Sequence, residues 1–383
     1  MRPRWIATLV ACLVATLQAA DWRLETVDPN GGGHFSSLQM DRYGNAHVAY
    51  VDKPRGALKY AFWDRALDKW FTTRLDVTTG FCSLALDSKQ RPHISYIGHE
   101  NLRYARWDGS AWNKQTIQIN AKHIDFYTSL TLDLADNPGI TFYEVWGTGD
   151  DYLLHLRRVV WNGTFWTVGT VDATRGSGKF NSAASDSSGN PHIAYANVRD
   201  ENASLRYARW NGNSWNVELL EGGGPSNFPV FSAKIIVDRH DNPHITYTDL
   251  RNRRIKYATR RNGKWSLSVV DHITREAYPD RNGIALDDNG NPYISYYDAG
   301  LGVLKLVRRE NTAWIAEVVD DSGAGFTSSI QIARGTVYLT YYDSSTNSLK
   351  VARRPLLTPH ATSRQNGGAP SQAQENAYAT RPY

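Results

Sequence analysis

The chain is poor in cysteine and methionine, with two of each in 383 residues. Cys12 falls in the N-terminal apolar run, which leaves Cys82 alone in the body. An intrachain disulfide is thereby excluded, and stability outside the cytoplasm has to come from the core. Cys82 lies in "FCSL", where neighbouring segments read "FSSL" and "YTSL". It reads as a small buried filler rather than a reactive thiol. Concentrated charge is also missing. The formal net charge is +5; setting aside Arg2 and Arg4 and then the last residues, with Arg364 and Arg381 against Glu375, leaves about +2 for the body. No basic stripe stands out, so nucleic acid is not an expected partner. Nor is there a run long and apolar enough to span a bilayer.

The first twenty residues, MRPRWIATLVACLVATLQAA, have a basic start, an apolar run and small residues at the end. They read as a secretory signal removed near Ala19 or Ala20. A rival reading takes "LVAC" (9–12) as a bacterial lipoprotein box with Cys12 lipidated. Either one predicts export. The last residues, 356–383, are polar, carry Gly, Pro, Ser, Gln and Asn, and read as a disordered tail.

What the chain does have is a repeat. Seven segments recur: NAHVAY (45–50), RPHISY (91–96), NPGITF (137–142), NPHIAY (190–195), NPHITY (242–247), NPYISY (291–296) and TVYLTY (336–341). Each follows a short apolar run that mostly ends in Asp, and each precedes a third segment such as LKYAFW or LRYARW. A fourth begins at Trp70, Trp112, Trp166, Trp215, Trp265 and Trp314. The segments are five to seven residues long, rich in Val, Ile, Tyr and Trp, and bounded by turn residues, which is strand chemistry. Turns such as WDGSAW and WNGTFW supply the positive φ of a tight hairpin. Four antiparallel strands in about 48 residues make a propeller blade.

The seventh copy stops at LKVARRP without its tryptophan strand, and DWRLETVD (21–28) supplies the pattern at the other end, with Trp22 in the tryptophan position. The prediction is an all-β, seven-bladed β-propeller over 21–355, closed by the N-terminal strand. Closure removes exposed sheet edges.

The W-N/D-G-x-x-W hairpins resemble degenerate Asp-box turns of the sialidase-like propellers, without the leading serine and one residue shorter between Asp and Trp. The resemblance covers about 21–355 and implies the propeller. The early F/Y-R-I-P arginine motif of sialidases is absent. Propeller polysaccharide lyases and sugar-binding lectins share the architecture, but neither supplies a motif that transfers residue by residue.

Several signatures nearly occur. "ATRGSGKF" (173–180) lacks the Ser/Thr of a phosphate-binding loop, and "HENLR" (99–103) lacks the second histidine of a zinc helix. No G-x-S-x-G elbow is present. The acidic turns DRYGN, DLADN, DSSGN, DRHDN and DDNGN read as Asp-initiated turns rather than metal loops. No metal and no cofactor is expected. His47, His93, His192 and His244 share one position with Gly139, Tyr293 and Tyr338; that exchange marks a packing position. A cation heads every third strand (Lys59, Arg103, Arg157, Arg206, Lys256, Lys305, Lys350), and in four blades an Asp (52, 249, 298, 343) precedes it by seven residues. The expectation is a repeated cross-strand ion pair.

Chemistry is expected where the repeat breaks, in the loops joining the second to the third strand and the fourth to the next blade. These share one face. Candidate ligand-binding residues are His123, Tyr127, Glu144, Trp146, Arg175, Arg199, Arg251, Arg275 and Tyr278, with Asp125, His272, Glu276 and Arg281 in the same loops. Aromatic rings can stack on a sugar and Arg can grip a carboxylate. The function expected is recognition of a glycan or polysaccharide, or another extracellular ligand, on this face. If the protein were a uronate-polysaccharide lyase, His123, Tyr127 and His272 are the candidate bases. A sialidase-like hydrolase is less favoured, because Tyr143 and Glu144 are adjacent strand residues that point to opposite faces. A protein-interaction platform is the third reading.

Overall fold

A computed structural model describes residues 22–29, 31–78, 80–119, 123–146, 153–198, 203–222, 230–275 and 282–357. The expected signal, with Cys12, lies outside these residues, as do the last residues from 358. The described chain forms seven four-stranded antiparallel sheets. Blade one runs over 34–77, two over 82–116, three over 123–172, four over 177–222, five over 230–272 and six over 283–320. Blade seven takes three strands from 326–355 and its outermost from Arg23–Asp28, paired Arg23↔Arg353 through Thr26↔Lys350 and Asp28↔Leu349. The ring is closed as the tryptophan pattern predicts. Leu356 still belongs to it, donating its N–H to the Gly335 carbonyl at 2.8 Å.

The innermost strands are joined by hydroxyls. Ser329, Ser37, Ser83, Ser129 and Ser182 each accept a backbone N–H from the next blade: Leu38, Leu84, Leu130, Ala183 and Ile235, at 2.9–3.3 Å. Lys234 and Gly283 take this position in blades five and six. These strands line an axial channel of about 320 Å³. Cys82 is fully buried beside it, with its thiol toward the Phe35 carbonyl at 3.4 Å.

The shared histidine position is a packing device. In four blades the ring lies between a tyrosine hydroxyl on Nδ1 and a turn aspartate facing Nε2. The tyrosine distances are 2.6 Å (His47–Tyr60), 2.6 Å (His93–Tyr104), 2.7 Å (His192–Tyr207) and 2.5 Å (His244–Tyr257). Asp41, Asp87, Asp186 and Asp238 lie at 3.3–3.5 Å. The tautomer that fits carries its proton on Nε2 and accepts from the tyrosine. Each tyrosine edge then meets the outer tryptophan of the following blade: Tyr60–Trp112, Tyr104–Trp166, Tyr207–Trp265 and Tyr257–Trp314, at 5.0–5.5 Å. Where the histidine is missing, its partner changes with it. Tyr293 and Tyr338 face strands carrying Leu306 and Val351 in place of tyrosine. In blade three Gly139 opens the space, and the buried Arg158 fills it, bonding Thr141 at 3.1 Å and Thr131 at 2.7 Å.

The acidic turns are plain turns whose carboxylates are committed to the backbone. Asp133 Oδ1, for example, accepts from the N–H groups of Ala135 and Asn137, and Oδ2 from the Asn137 amide. In the outer hairpins Gly109, Gly163 and Gly212 take φ of 113°, 99° and 96°, as the N/D-G turns require.

The expected ion pair is present with a different main partner. In six blades the third-strand cation meets an acid at the end of the preceding blade's fourth strand, and that acid also accepts a second-strand tyrosine hydroxyl. The sets are Asp28 with Tyr50 and Lys59, Asp76 with Tyr96 and Arg103, Asp172 with Tyr195 and Arg206, Glu221 with Tyr247 and Lys256, Asp271 with Tyr296 and Lys305, and Asp320 with Tyr341 and Lys350. Of the four aspartates expected from spacing, Asp298 and Asp343 add a longer contact to the lysine, at 3.8 and 3.5 Å. Asp52 instead takes Arg55 at 3.0 Å, and Asp249 takes the Asn252 amide at 2.8 Å. The reason is geometric: the fourth-strand acid of one blade projects onto the next, so the pair staples blades together. Blade two's last strand, WNKQT, ends without an acid. There the tyrosine is Phe142, and Arg157 turns to Glu144 of its own blade at 3.0 Å.

Candidate functional site

Propeller geometry puts the second-to-third and fourth-to-first connections on one face, with the start of each innermost strand opening onto it. The start of these strands is aromatic. Ring centroids follow one another from Tyr342 to His34 (3.7 Å) and, within the same strand, Phe35, then Phe35–Phe81 (3.8 Å), Phe81–Tyr127 (4.5 Å), Tyr127–Phe180 (4.9 Å) and Phe180–Phe231 (4.9 Å). A further pair, Tyr297–Phe326, stands 4.2 Å apart across blades six and seven. Phe35, Phe81 and Phe180 are buried, while His34, Tyr127, Phe231, Tyr297, Phe326 and Tyr342 are half-buried and present part of their rings. The repeat builds this collar: Phe35, Phe81, Tyr127 and Phe180 each stand six residues before the aspartate that ends the run.

Cations stand beside the collar. Lys53 lies 5.5 Å from the Phe35 ring centre and Lys179 5.7 Å from that of Phe180. Just inside, a cavity of about 20 Å³ is lined by Tyr127, Phe180, Asn181, Ser232, Lys234 and Asn282 among others. That is room for one water-sized group. Burial, and then the charge of Lys53, lower the His34 pKa to about 4, so its imidazole is neutral at pH 7. Burial pushes the Tyr342 hydroxyl up, with Asp343 and Asp52 adding to it. A neutral imidazole stacked on a phenol is a pair able to take and return a proton.

Of the residues expected from sequence, only some are described with their side chains. Tyr127 is part of the collar. His123 begins the first strand of blade three, paired with Val145, and Trp146 pairs with Leu153; the side chains of His123, Asp125 and Trp146 lie outside the described set. Glu144 is buried and holds Arg157 within the blade. Arg175, Arg251, His272 and Arg275 are exposed in the connections of blades three to six. Arg199, Glu276, Tyr278 and Arg281 lie outside the described residues. Sequence reasoning missed His34, Tyr342, Lys53 and the phenylalanine collar, because collar residues sit inside the repeat and so read as scaffold. The clue for His34 was the run Gly31–Gly32–Gly33 before it. All three have positive φ, and a Cβ at Gly33 would lie 2.9 Å from the Leu349 backbone.

No family model matches the chain, and no curated protein matches it. Solved structures do. The Aleuria aurantia lectin in complex with alpha-methyl-L-fucoside superposes with a TM-score of 0.52 at 16% identity, over 78% of this chain and 98% of that one. AofleA from Arthrobotrys oligospora gives 0.52 and 16%, over 78% and 89%. A polysaccharide lyase, an ulvan lyase bound to a GlcA–Rha3S saccharide, gives 0.56 and 12%, over 86% and 95%. The likeness is one of fold. It agrees with the sialidase-like resemblance of the hairpins at that level, and the propeller's chemistry has to be argued from its own side chains.

Proposed function

We propose that the protein is an exported propeller that binds a carbohydrate on its loop face. The observation that carries this reading is the aromatic collar around the axis, flanked by Lys53 and Lys179. Half-buried rings offer flat apolar faces to the C–H surface of a sugar. Cations at their margin favour a ligand that carries carboxylate or sulfate. Similarity of fold to a fucoside-binding lectin and to a saccharide-bound lyase supports a carbohydrate ligand by analogy. Export rests on the N-terminal twenty residues.

Affinity electrophoresis of the mature protein against neutral and acidic polysaccharides tests the reading. Retardation by an acidic glycan, lost in Tyr127→Ala and Tyr342→Ala, is expected. Equal mobility in every gel would refute it. A second reading, eliminative cleavage of a uronate polymer, is favoured by one observation, the neutral His34 stacked on Tyr342. It requires unsaturated products that absorb in the ultraviolet, formed by the wild type and abolished in His34→Ala. Retention without products leaves binding as the activity.

A further inference from the structure

On the outer rim the third strands of blades five, six and seven carry Arg260, Arg309 and Arg354 at the position that is Trp63, Trp107, Trp161 and Trp210 in the first four blades, and one of these three junctions is chemically different. At the junction of blades four and five, Arg260 is paired with Glu218 of the preceding blade at 2.8 Å, and Trp265 Nε1 donates to the same carboxylate at 2.8 Å. Blades six and seven repeat this, with Arg354 paired to Glu317 and packed over the Trp22 ring. The register makes the positions equivalent, since Glu218 stands opposite Tyr207 and Glu317 opposite Leu306. At the junction of blades five and six the glutamate position is Ser268, opposite Tyr257. Arg309 is present without it.

The space this leaves is a cleft of about 510 Å³, lined by Tyr257, Thr259, Arg261, Lys264, Trp265 and Arg309 on its walls, with Gly290, Asn291, Pro292 and Asn311 from blade six. No carboxylate lines it, and no ion pair within 4.0 Å joins Arg261, Lys264 or Arg309 to an acid among the described residues. Arg261 and Lys264 even stand opposite each other in the hairpin, a like-charge pairing that costs stability unless an anion shares it. The nearby Glu310 is taken by Arg308. An adjoining groove reaches the turn face, where the Asp238 and Asp287 carboxylates are bound to their own turns and Asp288 lies farther along.

We propose that this cleft binds an anionic group, sulfate or carboxylate, carried on a saccharide. The three cations supply the charge recognition. The half-buried Trp265 ring and Pro292 supply a flat apolar wall, and Asn291, Asn311 and Ser266 supply hydroxyl partners. The site lies on the rim and does not rest on the loop-face reading.

Ser268→Glu is the test, because it installs in blade five the glutamate that neutralises the equivalent arginine at two other junctions. With dextran sulfate as probe and unsulfated dextran as control, tryptophan fluorescence titration should show binding by the wild type. That binding should be about tenfold or more weaker in Ser268→Glu, the loss of one charge-assisted contact. The thermal midpoint should be unchanged or higher, showing that the fold is intact. Arg309→Gln should weaken binding to a similar degree. Polygalacturonate in a parallel titration tells carboxylate from sulfate. Inorganic sulfate binding as tightly as dextran sulfate would overturn the saccharide part, leaving a bare anion site. Unchanged binding in both variants would overturn the proposal. If Arg251→Gln weakens binding while Ser268→Glu does not, the ligand sits on the loop face. That result sinks the rim site and leaves the proposed function standing.

Discussion

Acid should unfold this propeller through its buried histidines, and His93 allows the effect to be worked out. The ring is buried against Tyr104, and burial, the largest cause, lowers its pKa from 6.5 to about 4; Asp87 opposes the shift, and Arg106 and Arg91 add to it. In the unfolded chain the imidazole titrates near its ordinary value. The folded pKa is the lower one, so the unfolded state takes up the proton first. The contribution is intact at pH 7, falls as the pH drops through 6.5, and stops falling below about 4. At pH 4.5 the loss from this one residue is about 2 kcal/mol. The structure supplies its own control, since blades six and seven fill the position with tyrosine facing an aliphatic residue. His93→Tyr combined with Tyr104→Leu should therefore fold and be insensitive at this site. Urea denaturation of wild type and double variant at pH 7 and 4.5 measures the difference; the carboxylates that also titrate are common to both and cancel. The wild type should lose about 2 kcal/mol more than the variant on acidification. Equal losses would show that the histidine is not held neutral and would refute the reasoning.

Gly139→Ala places a Cβ 2.0 Å from Nη2 of the buried Arg158, and should lower stability by about 2 kcal/mol in chemical denaturation; Arg158→Leu in the same chain should relieve most of it. Asp28→Asn leaves Lys59 and the Tyr50 hydroxyl without their carboxylate at the junction where the ring closes, with an expected cost of about 3 kcal/mol. A loss comparable to an exposed pair would mean that the staple is solvent-screened. Cys82 should resist alkylation in the native protein and react on unfolding, which mass spectrometry after iodoacetamide treatment reads directly.

The architecture was legible because it is written seven times. Strand periodicity, N/D-G turns and the tryptophan spacing are local properties, and the orphaned third strand at Leu349–Arg353 could only be completed by the segment beginning at Trp22. Repetition also settled the histidines, since a position that accepts His, Gly and Tyr is a packing position whose neighbours change with it. Pairing across blades was not legible. Asp28 and Lys59 are 31 residues apart, and nothing in their spacing sets them above the nearer Asp52; only the placement of one blade's last strand against the next makes that contact. The collar was hidden for a related reason, because Phe35, Phe81 and Phe180 look like core until seven strand starts converge on one axis. The amino-acid sequence alone determined the blades, their number and their closure, which follow from hydrogen-bonding pattern and side-chain alternation along the chain. Which charges are neutralised, which rings surround the axis and which junction leaves its cations without an acid among the described residues were decided by the tertiary structure, because electrostatic and stacking contacts depend on distance in space between residues that the chain holds far apart.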